Sequence, residues 1–106
     1  MACQLDKDVR SVIIATLTGD GFTQDMYERL RQGVGWETDP VDGWIVHAVY
    51  WDDSGGIHMT NIWDSPEHNR AGFATRLGPV MRRIGIPPPQ GEVHRTFNVN
   101  VFKTVG

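Results

Sequence analysis

The chain has 106 residues, of which 40% are hydrophobic and 22% charged, with a formal net charge of −3. That length bounds it to one domain spanning 1–106, and the charge leaves no basic footprint for nucleic acid. The longest apolar run, Val12 to Ala15, falls far short of the roughly 20 residues a membrane span takes. Cys3 has no second cysteine to pair with, and the acids in MACQLDKDVR do not suit a secretory leader, so a cytoplasmic protein is expected.

Taken in chain order, Val9 to Leu17 (VRSVIIATL) is rich in β-branched residues and predicts a strand. Thr23 is a cap for a helix from Gln24, with Met26, Tyr27, Leu30 and Val34 at helical spacing and Gly33 and Gly35 closing it. Trp44 to Trp51 and Ile57 to Trp63 predict a β-hairpin around the turn DDSGG at 52–56. Ser65 caps a second helix with Pro66 in its first position. Its apolar stripe (Phe73, Leu77, Val80, Met81, Ile84) contains Gly78–Pro79, which predicts a helix to Leu77, a break, and a short helix ended by Gly85. Arg82–Arg83 suits the end of that helix. Pro87–Pro88–Pro89 is a stiff connector, and Val93 to Phe102 predicts the last strand.

The order β-α-β-β-α-β is the ferredoxin-like arrangement, an α+β fold with a four-stranded antiparallel sheet. Helices then cover one sheet face, and the other should be polar in a monomer. Val12 to Ala15 is an unbroken apolar run, and Trp44 to Trp51 is apolar or aromatic except at His47. Both faces therefore call for cover, and a second copy, sheet against sheet, supplies it most economically. A homodimer is the expected assembly.

The segment Asn61-Ile62-Trp63-Asp64-Ser65, followed by a helix and then RLGPVMRRIGIPPP, resembles the dimeric α+β barrel superfamily. It is most similar there to uncharacterised bacterial proteins near the antibiotic biosynthesis monooxygenase domains. The resemblance runs from about Val12 to Val99 and implies two sheets packed face to face, with a small-molecule pocket between sheet and helices. It implies no single reaction, since the superfamily spans cofactor-free oxygenation, haem degradation and lactone isomerisation. Haem-degrading members carry a further tryptophan and a ligating histidine at positions near Gly72 and Arg82, and neither matches.

With a five-residue turn, Trp51 faces Ile57, Val49 faces Met59, His47 faces Asn61 and Ile45 faces Trp63. One hairpin face is then apolar except for the pair His47–Asn61. That is pocket-like composition, with His47 as base and Asn61 as hydrogen-bond anchor. Trp63 and Met59 would line the ligand site, with Tyr27 and Phe73 from the helices. The competing reading is that His47 and Asn61 satisfy each other inside a core. His58 points to the opposite face and lacks metal-ligand spacing to His47, so no metal is expected. His68 is read as solvated, Arg76 as paired to a carboxylate, and the polar row His94, Thr96, Asn98 and Asn100 as a wet face or dimer rim. The leading function is a cofactor-free, monooxygenase-like enzyme for a small aromatic or polyketide-like compound. The alternatives are a non-catalytic dimer binding a small ligand or a protein, and more remotely an isomerase or cyclase.

Overall fold

The computed structural model describes residues 11–103. Val9, Arg10 and Cys3 lie outside the described residues. Four strands, β1 (Ile13–Gly19), β2 (Trp44–Trp51), β3 (Ile57–Trp63) and β4 (Gln90–Arg95), form one sheet in the order β2-β3-β1-β4. Every neighbouring pair is antiparallel. Helix α1 (Gln24–Val34) follows β1. Between β3 and β4 run α2 (Pro66–Gly72), a π-helical turn (Phe73–Leu77) and α3 (Gly78–Ile84). This is the ferredoxin-like α+β fold. The core lies between helices and sheet, around Ile13, Phe22, Leu30, Ile57, Met59, Trp63, Leu77 and Val80.

The caps act as their residue types dictate. Thr23 accepts from the Met26 N–H at the start of α1, and Ser65 accepts from the His68 N–H at the start of α2. Gly35 and Gly85 end α1 and α3 in the left-handed conformation.

Two expectations are corrected. Gly78–Pro79 does not break the second helix. Proline cannot donate its missing N–H, and its ring crowds the preceding turn. The chain absorbs this by widening one turn, so that the Gly78 N–H bonds to the Phe73 carbonyl five residues back. A Cβ on residue 78 would stand 2.5 Å from that carbonyl oxygen, which is why glycine occupies the position.

The last strand also moves, from Val93–Phe102 to Gln90–Arg95. A strand forms where a partner runs alongside. β1 offers Thr18 to Ile13, and these pair with Gln90 to Arg95. Thr96 is anchored by its N–H and Oγ on the Val12 carbonyl, and beyond it β1 has ended.

The sheet face away from the helices is mixed. Ile14, Val46 and Ile62 are half-buried, Ala48 is exposed and Tyr50 is 61% exposed, beside Thr16, Thr18 and Thr60. His58 and His94 are on this face, each bonded to a nearby carboxylate, Asp52 (2.7 Å) and Glu92 (3.0 Å). The His58 bond, with donors from Ser54 and the Gly56 N–H, holds the Asp52 carboxyl far below the usual range.

Candidate functional site

His47 and Asn61 are cross-strand partners, as the five-residue turn requires. One row of paired residues, all facing the helices, crosses the whole sheet: His47 on β2, Asn61 on β3, Ala15 on β1 and Val93 on β4. Farther along, the register departs from expectation. Trp44 pairs with Trp63 and Val46 with Ile62, so Ile45 is a bulged extra residue. The bulge sends Ile45 outward, where it is 38% exposed. Trp44 takes the inward place instead and stacks on Trp63 with ring centroids 5.2 Å apart and planes within 3°.

That substitution completes a directional chain of hydrogen bonds. Asn61 Oδ1 lies 2.6 Å from His47 Nδ1 and 3.2 Å from Trp44 Nε1. Indole N–H only donates, so the amide atom facing both rings is the oxygen, and His47 carries its proton on Nδ1. His47 Nε2 is then an acceptor, and the Tyr27 hydroxyl donates to it at 2.7 Å. The order is Tyr27 O–H to His47, His47 N–H to Asn61, and Trp44 N–H to the same Asn61 oxygen. Trp36 closes over the group with its ring 5.3 Å from His47 and 5.2 Å from Trp44.

Electrostatics follow from this packing. Burial pushes the His47 pKa below its ordinary 6.5, partly offset by the bond to Asn61. Burial pushes Tyr27 up to about 12, against the pull of Arg31. Both groups are neutral at pH 7, as the donor order needs. An unfolded chain binds a proton at His47 near pH 6.5, while the folded chain resists it. Folding stability is therefore expected to fall as pH drops below about 6.5. Urea midpoints at pH 7.5 and 5.5 test this, and His47→Gln should flatten the difference.

The expected ligand-lining residues part company here. Trp63 is fully buried between Trp44 and α2, where a Cβ on Gly72 would stand 2.7 Å from its ring. Met59 is core. Tyr27 belongs to the hydrogen-bonded chain. Beside His47 lies a shallow cleft of about 160 Å³, bordered by Trp36, Val41, Trp44 and Ile45. Of the four, Phe73 alone borders a larger cleft, of about 560 Å³. Its floor is Ala15, Leu17 and Val93, and its walls are Phe73, Met81, Ile86, Pro88 and Pro89. Asn69, Arg70 and Arg82 supply its polar groups. The Asn69 side-chain oxygen is buried with no hydrogen-bond partner. The floor continues the row that begins at His47, so Asn61 is one strand, about 5 Å in backbone spacing, from the cleft.

Asn69, Met81 and Arg82 were not anticipated as site residues. The available signal was Gly78–Pro79: the π turn it causes presents Phe73 and Gly78 to the cleft, and such turns recur at functional sites. His68 is partly solvated, its side chain 38% exposed. Its ring packs on Gly43 and is bonded to the Ser65 hydroxyl at 2.8 Å. Arg76 pairs with the Asp39 carboxylate (3.5 Å), as expected, and also donates to the backbone carbonyls of Val34 (3.2 Å) and Asp39 (2.6 Å), and so ties down the loop before β2.

No protein-family model matches the sequence, and no curated protein sequence matches it. The fold does match solved structures. A monooxygenase from Streptomyces coelicolor, in complex with nanaomycin D, superposes with a TM-score of 0.62 at 18% identity over 92% of this chain and 97% of that one. A candidate antibiotic biosynthesis monooxygenase from Chloroflexus aurantiacus gives 0.64 at 17% identity over 86% and 98%. SnoaB, a cofactor-independent oxygenase from Streptomyces nogalater, gives 0.58 at 9% identity over 83% and 93%. The chain thus has the fold of the antibiotic biosynthesis monooxygenase-like proteins.

Proposed function

We propose that the chain is a cofactor-free, monooxygenase-like enzyme acting on a small aromatic or polyketide-like compound, as a cytoplasmic homodimer packed through the sheet face away from the helices. The observation that carries the reading is the 560 Å³ cleft, apolar on floor and walls, with the polar residues Asn69, Arg70 and Arg82 on its border. That volume lies within the range of ligand pockets, and a few placed polar groups in an apolar wall orient a ring system. The shared fold with an oxygenase that holds nanaomycin D supports the same class of ligand.

Among these bordering residues, the cations of Arg70 and Arg82 favour a phenolate or enolate once the proton leaves. His47, held neutral by burial, is the base and Asn61 its anchor; the histidine borders the smaller cleft, so it acts on a substrate that reaches that side and displaces the Tyr27 hydroxyl from Nε2. The substrate anion reduces dioxygen and combines with it, and the resulting hydroperoxide loses water to leave a quinone. An anthrone and one O₂ thereby become one quinone and one H₂O, with the electrons coming from the substrate. A second reading, a non-catalytic ligand-binding dimer, is favoured by one observation: both ring nitrogens of His47 are already engaged, and the space beside it is below the about 300 Å³ at which ligand pockets begin.

Oxygen uptake with anthrone and dihydroxynaphthalene substrates separates them. Turnover abolished by His47→Ala supports the enzyme, whereas binding without turnover supports the second reading. Val93→Trp fills the cleft from a half-exposed floor position. It is expected to weaken binding of either compound at least tenfold while leaving the urea midpoint nearly unchanged. Unaltered affinity in that variant would move the ligand site elsewhere.

A further inference from the structure

Two tryptophans flank His47, and they are held differently. Trp44 is fixed: its indole N–H donates to Asn61 Oδ1 at 3.2 Å, and its ring lies flat on the buried Trp63. Trp36 is held by ring contacts, with centroids 5.3 Å from His47, 5.2 Å from Trp44 and 5.9 Å from Tyr27. Among the described residues its indole N–H makes no hydrogen bond. The backbone that carries Trp36 is just as uneven. The far half of the segment is tied down: Arg76 holds the carbonyl and carboxylate of Asp39, Val41 is buried, and Gly43 packs against the His68 ring. The near half leaves α1 through Gly35, which is left-handed and has nothing nearer than 3.9 Å to where a Cβ would stand. It closes a turn on itself, with the Thr38 and Asp39 N–H groups on the Gly35 carbonyl. Among the described residues, the side-chain bond from 36–38 to the chain outside this turn is the exposed ion pair of Glu37 with Arg31.

We infer that Trp36 is a movable gate over His47, turning about Gly35 with the Arg31–Glu37 pair as its latch, and that the ligand it admits is a flat aromatic ring system. Segments with few buried contacts are the ones that open locally, and the near half of this one fits that description. Closed, the gate leaves the shallow cleft of about 160 Å³. Open, the cleft adds the volume of an indole and approaches the about 300 Å³ at which ligand pockets begin. The walls it then presents are the rings of Tyr27, Trp44 and His47. Trp36 meets two of them edge-on, Trp44 at 76° and His47 at 66°. A flat aromatic ligand replaces the edge-to-face contacts that the indole gives up, whereas an aliphatic one does not. Aromatic ligands therefore bind the open state better, which is the differential affinity that a gate needs. The purpose of the gate rests on the reading of His47 as the base of the proposed reaction; its movement does not.

Histidine carbethoxylation by diethyl pyrocarbonate at pH 7.5, followed peptide by peptide by mass spectrometry, reads the gate without a substrate. His58 and His94, on the opposite sheet face, are controls within the same chain. Trp36→Ala is expected to speed labelling of His47 at least about tenfold with both controls unchanged. Glu37→Gln leaves every wall of the cleft in place and removes one exposed ion pair, so it should speed His47 alone about two- to fivefold. In the wild type, dihydroxynaphthalene is expected to protect His47 relative to the controls, and cyclohexanediol is not. An unchanged His47 rate in Trp36→Ala would show that the indole is not the cover. A fast Trp36→Ala with Glu37→Gln at the wild-type rate would show a cover without a latch, and acceleration of all histidines together would show general loosening. Each of these overturns the gate, and protection by both diols or by neither overturns the choice of an aromatic ligand. Oxygen uptake tests the base separately: no turnover in a chain that passes the labelling test removes the enzyme and leaves the gate standing.

Discussion

Asn61→Leu is expected to destabilise the chain by about 2–4 kcal/mol, read as a shift of the urea midpoint followed by circular dichroism. The size comes from what is left behind rather than from the bonds themselves. Asn61 is 1% exposed and its oxygen takes two N–H donors, from His47 and Trp44. Leucine fills similar space but strands both donors, and each buried unpaired donor costs about 1–3 kcal/mol. Asn61→Asp has the opposite electrostatic sense. A carboxylate beside Nδ1 favours the imidazolium, so the His47 pKa should rise from its lowered position, as an NMR titration of the ring protons would show. An Asn61→Leu chain as stable as the wild type would mean that the bonds to Asn61 are not formed in solution.

Trp63→Ala should cost about 3–5 kcal/mol, the largest effect of any single side chain here. Trp63 is fully buried, stacks on Trp44 and faces Phe73 and the bare backbone of Gly72. Its indole N–H is buried without a partner, so Trp63→Phe forfeits no hydrogen bond and should cost only about 1–2 kcal/mol. The close approach at Gly72 provides an internal check. Gly72→Ala places a Cβ 2.7 Å from the Trp63 ring and should be destabilising. In the Trp63→Phe background the ring edge is gone, and the same substitution should be near neutral. Additive effects in that double-mutant cycle would show that the two residues do not touch.

Much of this molecule could be read from neighbours in sequence. The hairpin strands Trp44–Trp51 and Ile57–Trp63 and helix α1 fall where their patterns place them. Alternation, helical spacing and capping residues are local properties. The His47–Asn61 pairing was legible too, because a short turn transmits register for several residues. The Ile45 bulge was not. It depends on Trp44 finding Trp63 as a stacking surface, and that preference appears only once both strands lie side by side.

The cleft was less legible still. Asn69, Met81 and Arg82 are scattered along a helix, and nothing in their spacing separates a wall from an ordinary core or surface. Their convergence on Ala15, Leu17 and Val93 needs the π turn at Phe73–Leu77, whose local cause, Gly78–Pro79, reads equally well as a break. The end of β4 shows the same division. Strand propensity runs on through Phe102, but hydrogen bonds require a partner, and β1 supplies one only as far as Arg95. Element types and the polar pair in an apolar face thus followed from short-range chemistry in the sequence. Which tryptophan caps that pair, where the ligand-sized space opens and where the last strand ends were decided in three dimensions, because each depends on pairing and packing between segments far apart in the chain.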